Sequence, residues 1–308
     1  MDKLKKKYYK YRSSDFAFLI TSVGEKYLSN CVNSVLKQKD NPGQIIVSLP
    51  KKINYKNKSK NVLVIKSNYH NQVYQRSLAK NFLKNKIKIL IQLDCGFELH
   101  KNSFKDLIEF WSLQDKKVAG LGMIPIDQRL PKINILQKVL LTNSSIPGKV
   151  LKSGYVSAWS NSTKTCEVEW LNGGCVSWRL DLCQDIFKRK YPMIPWSVAE
   201  DLIYSFNKKK KYKLIISNKL KIKYIVNDKN HVINIYKNFQ RGFLHSKIIK
   251  NFVSNDNRLS LIYYYYTTIF SSVIGILISI LQINLNKLCL YFGRLIGGIV
   301  KTYKYKIR

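Results

Sequence analysis

The residues of this chain whose types and positions could take part in a reaction lie in two short stretches with acidic side chains. Asp94 directly follows the apolar run IKILIQL, and Glu200 and Asp201 begin a predicted helix. Carboxylate oxygens are the ligands that Mg²⁺ and Mn²⁺ prefer, and a carboxylate can also remove a proton from a hydroxyl group. There is a purely structural alternative for the second pair, because negative charge stabilises the N-terminal end of a helix.

Alternating strands and helices must position these carboxylates. The hydrophobic pattern predicts strands at 16–23, 44–50, 61–67 and 87–93, with helices at 25–38 and 73–86. This alternation indicates βα units and a mostly parallel sheet. Ligands of such sheets bind outside the carboxyl ends of the strands, where Asp94 lies.

The second half of the chain continues the α/β pattern less regularly. We predict a helix at 103–114 and a strand at 118–126, followed by a long polar stretch between roughly 127 and 165, which is typical of a functional loop. Residues 167–187 predict a strand, a turn at Gly173 and Gly174, a second strand and a helix. The turn glycines would let the backbone approach a ligand closely, although an ordinary hairpin turn explains them equally well.

The composition limits the kinds of partner. The 308 residues contain 54 Lys and Arg against 18 Asp and Glu, a net charge of +36. This excess attracts phosphates and anionic lipids, although compositional drift alone could produce it. Nucleic acid is not an expected partner, since the basic residues are spread along the chain and no DNA- or RNA-binding motif is present. Six cysteines without a CxxC pair, and a basic N-terminus without an apolar run, predict reduced thiols, no export signal and a cytoplasmic protein.

An uncharged segment near the C-terminus predicts contact with a membrane. The 28 residues from 259 to 286 carry no formal charge and include four successive tyrosines. About 20 apolar residues span a bilayer core, and tyrosine is enriched at the lipid–water interface. The next apolar piece, 288–300, is shorter and contains Arg294, which favours a helix in the membrane plane. The alternative is a buried core helix of a soluble domain.

The order of several motifs resembles the family 2 glycosyltransferases of the GT-A fold. RSLAKN resembles their ARN-type helix start, LDCGFEL their DxD segment, WLNGG their donor and acceptor loop, and AED their catalytic-base motif. The tail beginning YKNFQRGFLHSKIIKNF resembles rhamnosyltransferase-like members that build bacterial surface polysaccharides. The resemblance implies an α/β fold, a Rossmann-like GT-A domain with a mostly parallel central sheet. We expect a basic tail at 1–13, the catalytic domain at 14–228 and a helical membrane-associated region at 229–308.

The resemblance also implies roles for individual residues. Asp201 is the expected catalytic base, with Glu200 beside it. The expected donor-binding residues are Thr21, Ser22, Ser48, Arg76, Lys80, Asp94 and Gly96. The expected acceptor- or sugar-binding residues are Trp170, Gly173, Gly174 and Arg179, and Trp196 is a further aromatic candidate.

Two departures from the family pattern put a divalent cation in doubt. Gly96 stands where DxD has its last aspartate, and Lys223 and Tyr224 stand where many relatives have a histidine. Asp94 is then the only candidate ligand for Mg²⁺ or Mn²⁺. Basic side chains could neutralise a departing diphosphate instead; the candidates are Arg76, Lys80, Arg179 and Lys223.

The expected function is transfer of a hexosyl or deoxyhexosyl group from a nucleotide-sugar donor to a hydroxyl. The acceptor would be a lipid-linked or growing glycan of surface polysaccharide synthesis, at the cytoplasmic face of the cell membrane, with inversion at the sugar carbon. Gly96 and the missing histidine keep an alternative open, in which an inactive glycosyltransferase fold serves as a binding or scaffold protein.

Overall fold

The computed structural model describes residues 10–56, 59–126, 133–158, 164–187, 198–226 and 234–300. Most of the predicted N-terminal tail, Trp196 and the predicted domain boundary at 228 lie outside these ranges.

The first half of the central sheet is parallel. Four strands lie side by side in the order β3-β2-β1-β4, each pair parallel: β1 Phe16–Thr21, β2 Gln44–Pro50, β3 Val62–Ser67 and β4 Ile89–Asp94. The helices α1 Leu28–Leu36 and α2 Gln72–Lys80 connect β1 to β2 and β3 to β4. Because β1 and β2 are buried along their whole length and β4 up to its last residue, their continuous apolar sequences suit strands covered on both faces.

The second half of the sheet is mixed. Continuing from β4, the order is β8-β6-β9-β5, and β7 pairs with β9. These strands are β5 Phe97–Leu99, β6 Val118–Pro125, β7 Cys166–Val168, β8 Cys175–Arg179 and β9 Lys213–Tyr224. β8 is antiparallel to both neighbours, whereas β6 and β9 are parallel to each other. The predicted α/β class is confirmed. The prediction of parallel pairing holds best for the four strands β3-β2-β1-β4, the last of which ends at Asp94.

The described part of this domain contains three further helices: α3 Ser103–Ser112, α4 Ile135–Val139 within the predicted polar loop, and α5 Glu200–Lys209. The helix predicted near 180–187 is wrong, since these residues form turns. Side chains take the carbonyl groups that a helix would use: Lys80 donates to the carbonyls of Gln184 and Ile186, and Lys208 to that of Leu182.

Three helices form the C-terminal part: α6 Ile235–Ser254, α7 Leu261–Leu281 and α8 Leu285–Ile299. The first of them packs on α5 through the rings of Phe206 and Phe252, whose centroids are 5.3 Å apart. Among the described residues, α7 alone is long and apolar enough to cross a bilayer, with a mean hydropathy of 1.6. That property concerns length and composition only.

Candidate active site

Three polar residues lie level with one another at the carboxyl ends of neighbouring strands. Thr21 on β1 pairs in register with Ser48 on β2 and with Asp94 on β4. Parallel strands end at one edge of a sheet, so the pattern of buried strands brings these side chains together as predicted. The hydroxyl of Ser48 is fully buried and has no hydrogen-bond partner among the described residues.

The carboxylate of Asp94 is held by donors from α2. Its Oδ1 accepts hydrogen bonds from Gln72 Nε2 at 2.7 Å and Arg76 Nη2 at 2.8 Å, and a longer one from Thr21 Oγ1 at 3.5 Å. The side chain of Asp94 keeps 30% of its exposure, so part of the carboxylate faces the solvent. One oxygen is thus fixed in place, while the group as a whole remains accessible.

Arg76 connects Asp94 to the acidic pair of α5. Its side chain is only 1% exposed, and its Nη1 donates to Glu200 Oε1 at 2.7 Å. Burial alone would lower the pKa of Arg76, but the charges of Asp94 and Glu200 raise it above its ordinary value. A buried arginine needs such partners, because an unpaired charge in the interior is very unfavourable. The chain Asp94–Arg76–Glu200 therefore spans from the strand end to the start of α5.

A cleft of about 560 Å³ opens beside Asp94. This volume suits a small ligand or cofactor. Its walls combine a few charged and amide groups with aromatic and aliphatic side chains: Glu25, Lys26, Tyr27, Gln72, Asp94, Cys95, Gly96, Phe97, Tyr224 and Val226. The lining residues that no sequence motif indicated individually are Glu25, Lys26, Tyr27, Gln72, Cys95, Phe97 and Val226. A usable signal existed for some of them, because Glu25 and Lys26 follow β1 and Gln72 follows β3, at the same sheet edge as Asp94.

The loop after β1 forms one side of the cleft and is fixed by Ser22 and Glu25. The Ser22 hydroxyl donates to the Glu25 carboxylate, and the Val23 N–H donates to the same oxygen at 2.7 Å. Gly24 has a φ of +106°, which favours glycine in this tight turn. Gln75 of α2 also contacts the loop, by donating from Nε2 to the carbonyl of Ser22 at 3.0 Å.

Asp201 lies next to the turn at Gly173. The Gly173 N–H donates to Asp201 Oδ2 at 3.0 Å. Burial, together with the negative charge of Glu200, raises the pKa of Asp201 to about 7, and hydrogen bonds from the Gly173 and Leu202 N–H groups oppose the rise. A carboxylate with a pKa near neutrality suits a general base. Asp201 lines a second, much smaller cavity of about 30 Å³ together with Arg76 and Glu200.

Ala199, directly before the acidic pair, adopts a left-handed backbone conformation with φ of 55°. Non-glycine residues rarely do so, and such strain is concentrated at functional sites. The strained residue turns the chain into α5, so that Glu200 meets Arg76 and Asp201 meets Gly173.

The two glycines of the turn fit between the two carboxylates. The Gly174 carbonyl accepts from the Asp94 N–H at 2.8 Å, and a Cβ at position 174 would lie 3.1 Å from Asp94 Oδ2 and 2.9 Å from the Phe97 ring. A Cβ at Gly173 would lie 3.1 Å from Asp201 Cβ. The close approach that these two glycines allow is therefore an approach of the turn to the side chains of Asp94 and Asp201. Because the glycines have no side chain, both carboxylates can lie beside the same turn.

Comparison with solved structures identifies the fold. The mannosyltransferase PcManGT from Pyrobaculum calidifontis, in complex with GDP-Man and Mn²⁺, superimposes with a TM-score of 0.54 and 9% identity, over 96% of this chain and 91% of the other. Staphylococcus aureus TarS 1–349 superimposes with a TM-score of 0.54 and 14% identity, over 92% of this chain and 80% of the other. The chain has a GT-A glycosyltransferase fold.

TarS 1–349 in complex with UDP-GlcNAc gives a similar superposition, with a TM-score of 0.51 and 13% identity over 93% of this chain. No family model matches the sequence, and no curated protein matches it. At these identities the likeness establishes the GT-A fold, and it leaves the finer family and the substrates to be argued from the site.

The residues present do not form a ready metal site in this GT-A domain. The described residues contain no group of three or more His, Cys, Asp or Glu side chains that could hold an ion. A side chain at Gly96 would place its Cβ 2.7 Å from Val226 Cγ2, so an aliphatic group fills the space beside this position. Tyr224 packs against Phe97 with ring centroids 5.3 Å apart. The place where a second ligand is expected is thus lined by apolar groups.

Several predicted residues have structural roles elsewhere in the GT-A domain. Arg179 pairs with Ile89 at the opposite end of β4, roughly 16 Å from Asp94, and donates to the carbonyls of Lys116 and Asp115. Lys80 is engaged with the turns after β8. The predictions of Arg179 as an acceptor- or sugar-binding residue, of Lys80 as a donor-binding residue and of both as cations for the diphosphate are therefore corrected.

Two further candidates also differ from expectation. Trp170 is half-buried, and its indole N–H donates to the carbonyl of Ser157 at 3.1 Å, so it braces the loop before β7. Lys223, on β9, lies opposite Glu98 of β5 and does not line the cleft. Its neighbour Tyr224 does. Side chains alternate along a strand, which explains why only one of these neighbours can face the ligand.

Proposed function

We propose that this protein transfers a sugar from a nucleotide-sugar donor to an acceptor hydroxyl. The observation that carries the proposal is the chain Asp94–Arg76–Glu200, which joins the cleft at the strand ends to the helix start that holds Asp201. A transferase needs these two places side by side, one for the nucleotide and one for the base. Two of the comparison structures are complexes with GDP-Man and UDP-GlcNAc, which supports a nucleotide sugar as the donor class.

The donor occupies the 560 Å³ cleft in this proposal. The accessible part of the Asp94 carboxylate accepts hydrogen bonds from ribose hydroxyls, and the rings of Tyr27 and Tyr224 line the space for the base and sugar. Lys26, on the rim, supplies positive charge for the diphosphate as it leaves. Arg76 stays in its ion pairs. Burial raises the pKa of Asp94, and the adjacent guanidinium opposes that rise because a cation favours the charged form of a carboxyl group.

The chemical step is a single displacement. The acceptor oxygen attacks the anomeric carbon, the bond from that carbon to the diphosphate oxygen breaks, and Asp201 takes the proton of the acceptor hydroxyl. The nucleoside diphosphate leaves with the bonding electron pair. One base and one in-line attack give inversion at the sugar carbon, and no step in this scheme requires a metal ion.

The setting in the cell is the second part of the proposal. An acceptor that is lipid-linked or part of a growing surface glycan lies at the cytoplasmic face of the membrane, where a cationic protein with an apolar helix would concentrate. The sequence motifs support a rhamnosyltransferase-like member of family 2 and a hexosyl or deoxyhexosyl donor.

The test is a screen of UDP-, GDP- and dTDP-sugars for nucleotide binding and for transfer. Asp201→Asn should bind the cognate nucleotide as tightly as the wild type while losing at least about a hundredfold in transfer rate. Near-normal transfer by this variant would show that Asp201 is not the base.

An inactive scaffold is the second candidate, and Gly96 is the observation that favours it. This alternative predicts that none of the three nucleotides binds, with or without Mn²⁺. Metal-independent binding with turnover would instead support the transferase.

A further inference from the structure

Helix α7 has the reverse of the polarity expected for a helix on a soluble protein. Its buried positions are polar or small: Tyr264, Thr267, Thr268, Ser271, Ser272, Gly275 and Ser279. Its outward positions are large and apolar, with Ile262 80% and Leu281 84% exposed. A helix in water turns its apolar face inward. Small and polar residues at helix contacts, with apolar residues outside, are typical of helices that lie in lipid.

The packing of α7 and α6 on α8 follows the same rule. A Cβ at Gly293 would lie 2.2 Å from the Phe239 carbonyl oxygen, and one at Gly297 would lie 2.3 Å from that of Phe243, so the backbones of α6 and α8 touch. On the other side, Gly275 of α7 packs against the Tyr291 ring. Close backbone contact holds α6 and α8 together, and α7 contacts α8 through a glycine. The apolar side chains of α7 are therefore free to face outward.

Within the described residues, these helices also carry more positive than negative charge. Residues 234–300 contain seven Lys and Arg residues and a single acidic residue, Asp256. Asp256 is already bound by Lys210 at 2.7 Å and Arg258 at 3.1 Å. Within the described ranges, no carboxylate pairs with Arg241 or Arg294. Arg241 is exposed and Arg294 is half-buried, so an anion from outside can reach both charges.

Arg294 and His245 lie beside the ring of Tyr155, and Arg241 is close enough to His245 for its charge to act on the histidine ring. Arg241 and His245 are one turn apart on α6, and the backbone of Arg294 lies against Gly242 between them. The Arg294 guanidinium is 5.8 Å from the Tyr155 ring centroid, and the His245 ring is 6.0 Å from it. His245 Nδ1 and Arg294 Nε are buried without a hydrogen-bond partner in the described residues. Burial and the two arginines lower the pKa of His245 to about 3.

We propose that the C-terminal helices bind an anionic lipid, with a lipid phosphate held by Arg241, His245 and Arg294 and the outward face of α7 against its hydrocarbon chains. The Arg294 Nε–H, and His245 Nδ1 in the tautomer that carries its proton there, supply hydrogen bonds for phosphate oxygens, which suit the guanidinium group well. Tyr155 also contacts α7, through a hydrogen bond of 3.3 Å between its hydroxyl and that of Thr268. The apolar outward face of that same helix is what would distinguish a lipid phosphate from a free one. This inference deepens the membrane part of the proposed function and does not require sugar transfer.

The experiment is sedimentation of the full chain with vesicles of phosphatidylcholine, alone or with phosphatidylglycerol. We expect binding to the mixed vesicles to be at least about tenfold tighter, and Arg241→Gln/Arg294→Gln to remove most of that difference. The control pair Lys105→Gln/Lys116→Gln removes the same charge from exposed positions elsewhere. An equal loss in both pairs would mean that only net charge matters and would overturn the site.

Two further arms complete the test. Ile262→Ser/Leu281→Ser alters exposed side chains only, so it should fold normally and bind both kinds of vesicle more weakly; unchanged binding would overturn the role of α7. Inorganic phosphate that saturates Arg241, His245 and Arg294 without any vesicle binding would identify a free-phosphate site and reject the lipid. Asp201→Asn should sediment like the wild type, which separates failure of this inference from failure of the proposed transferase.

Discussion

The guanidinium of Arg76 and the carboxylate of Asp94 are 2.8 Å apart, and the arginine is almost completely buried although the aspartate still reaches the cleft. The same guanidinium donates to Glu200 at 2.7 Å. A single buried cation therefore fixes both acidic motifs of the sequence.

Removing this cation should destabilise the fold as well as the site. We expect Arg76→Ala to lower the free energy of unfolding by about 3 kcal/mol, because it leaves two carboxylates beside an empty, buried space. Urea denaturation measures the change. Lys105→Ala, on the exposed side of α3, is the control and should stay within about 0.5 kcal/mol of the wild type. A loss at Arg76 no larger than the control's would show that the ion pairs contribute nothing net.

The pH dependence of transfer should report on Asp201. Burial and the charge of Glu200 raise the pKa of Asp201 to about 7, so below that pH the base is protonated and inactive. We expect kcat/KM to rise about tenfold per pH unit up to pH 7 and then to level off. Glu200→Gln removes one cause of the raised pKa, so its profile should move to lower pH. A profile that is flat between pH 5 and 8 would contradict the assignment of Asp201 as the base.

Nucleotide binding should persist when divalent cations are removed. The wild type should keep its nucleotide affinity in EDTA within about threefold, because Gly96 supplies no ligand and Val226 fills the neighbouring space. Gly96→Asp alone should bind nucleotide poorly, since its Cβ would lie 2.7 Å from Val226 Cγ2. Gly96→Asp/Val226→Ala relieves that contact and should gain affinity with Mn²⁺. Calorimetry of the three proteins checks this, and loss of wild-type binding in EDTA would refute it.

The two turn glycines should affect different kinetic constants. Gly174→Ala would press on Phe97 and Asp94, so we expect a higher KM for the donor. Gly173→Ala would press on Asp201, so we expect a lower kcat. Crowding of this kind costs about 1–3 kcal/mol, and each variant should lose stability in that range. Steady-state kinetics at varied donor concentration separates the two effects; identical changes in both variants would mean that the turn acts only as a structural element.

The sequence predicted the parallel strands and the edge that carries Asp94 because those strands are continuous apolar runs. The start of α5 was also predictable, from two acidic residues before an amphipathic helix. Hydrophobic periodicity has no information on strand order or direction, so it did not predict that β8 is antiparallel to its neighbours. For the same reason it did not predict that Arg179, at the end of β8, lies away from the site. The motif alone made Arg179 a plausible site residue. The direction of β8 places it at the end of β4 opposite Asp94.

The site was predicted in part for a similar physical reason. Asp94, Glu200 and Asp201 follow element boundaries that a sequence marks clearly. Val226 comes from the segment after β9, and its contact with Gly96 spans more than a hundred residues. No local pattern specifies such a contact. The polarity of α7 is also visible only when its buried and exposed sides are known, since its composition alone suits a core helix equally well.

Because Arg76 also lowers the pKa of Asp201, the proposed binding of a nucleotide beside Asp94 would be thermodynamically linked to proton binding. A diphosphate bound near Asp94 would add negative charge beside Arg76. The guanidinium would then stabilise the ionised form of Asp201 less, and the proton affinity of Asp201 would rise. By reciprocity, the protonated enzyme binds the nucleotide more tightly. Donor binding near pH 7 should then be accompanied by proton uptake from the buffer, and Asp201 acts as the base in the fraction of the donor complex in which it stays ionised.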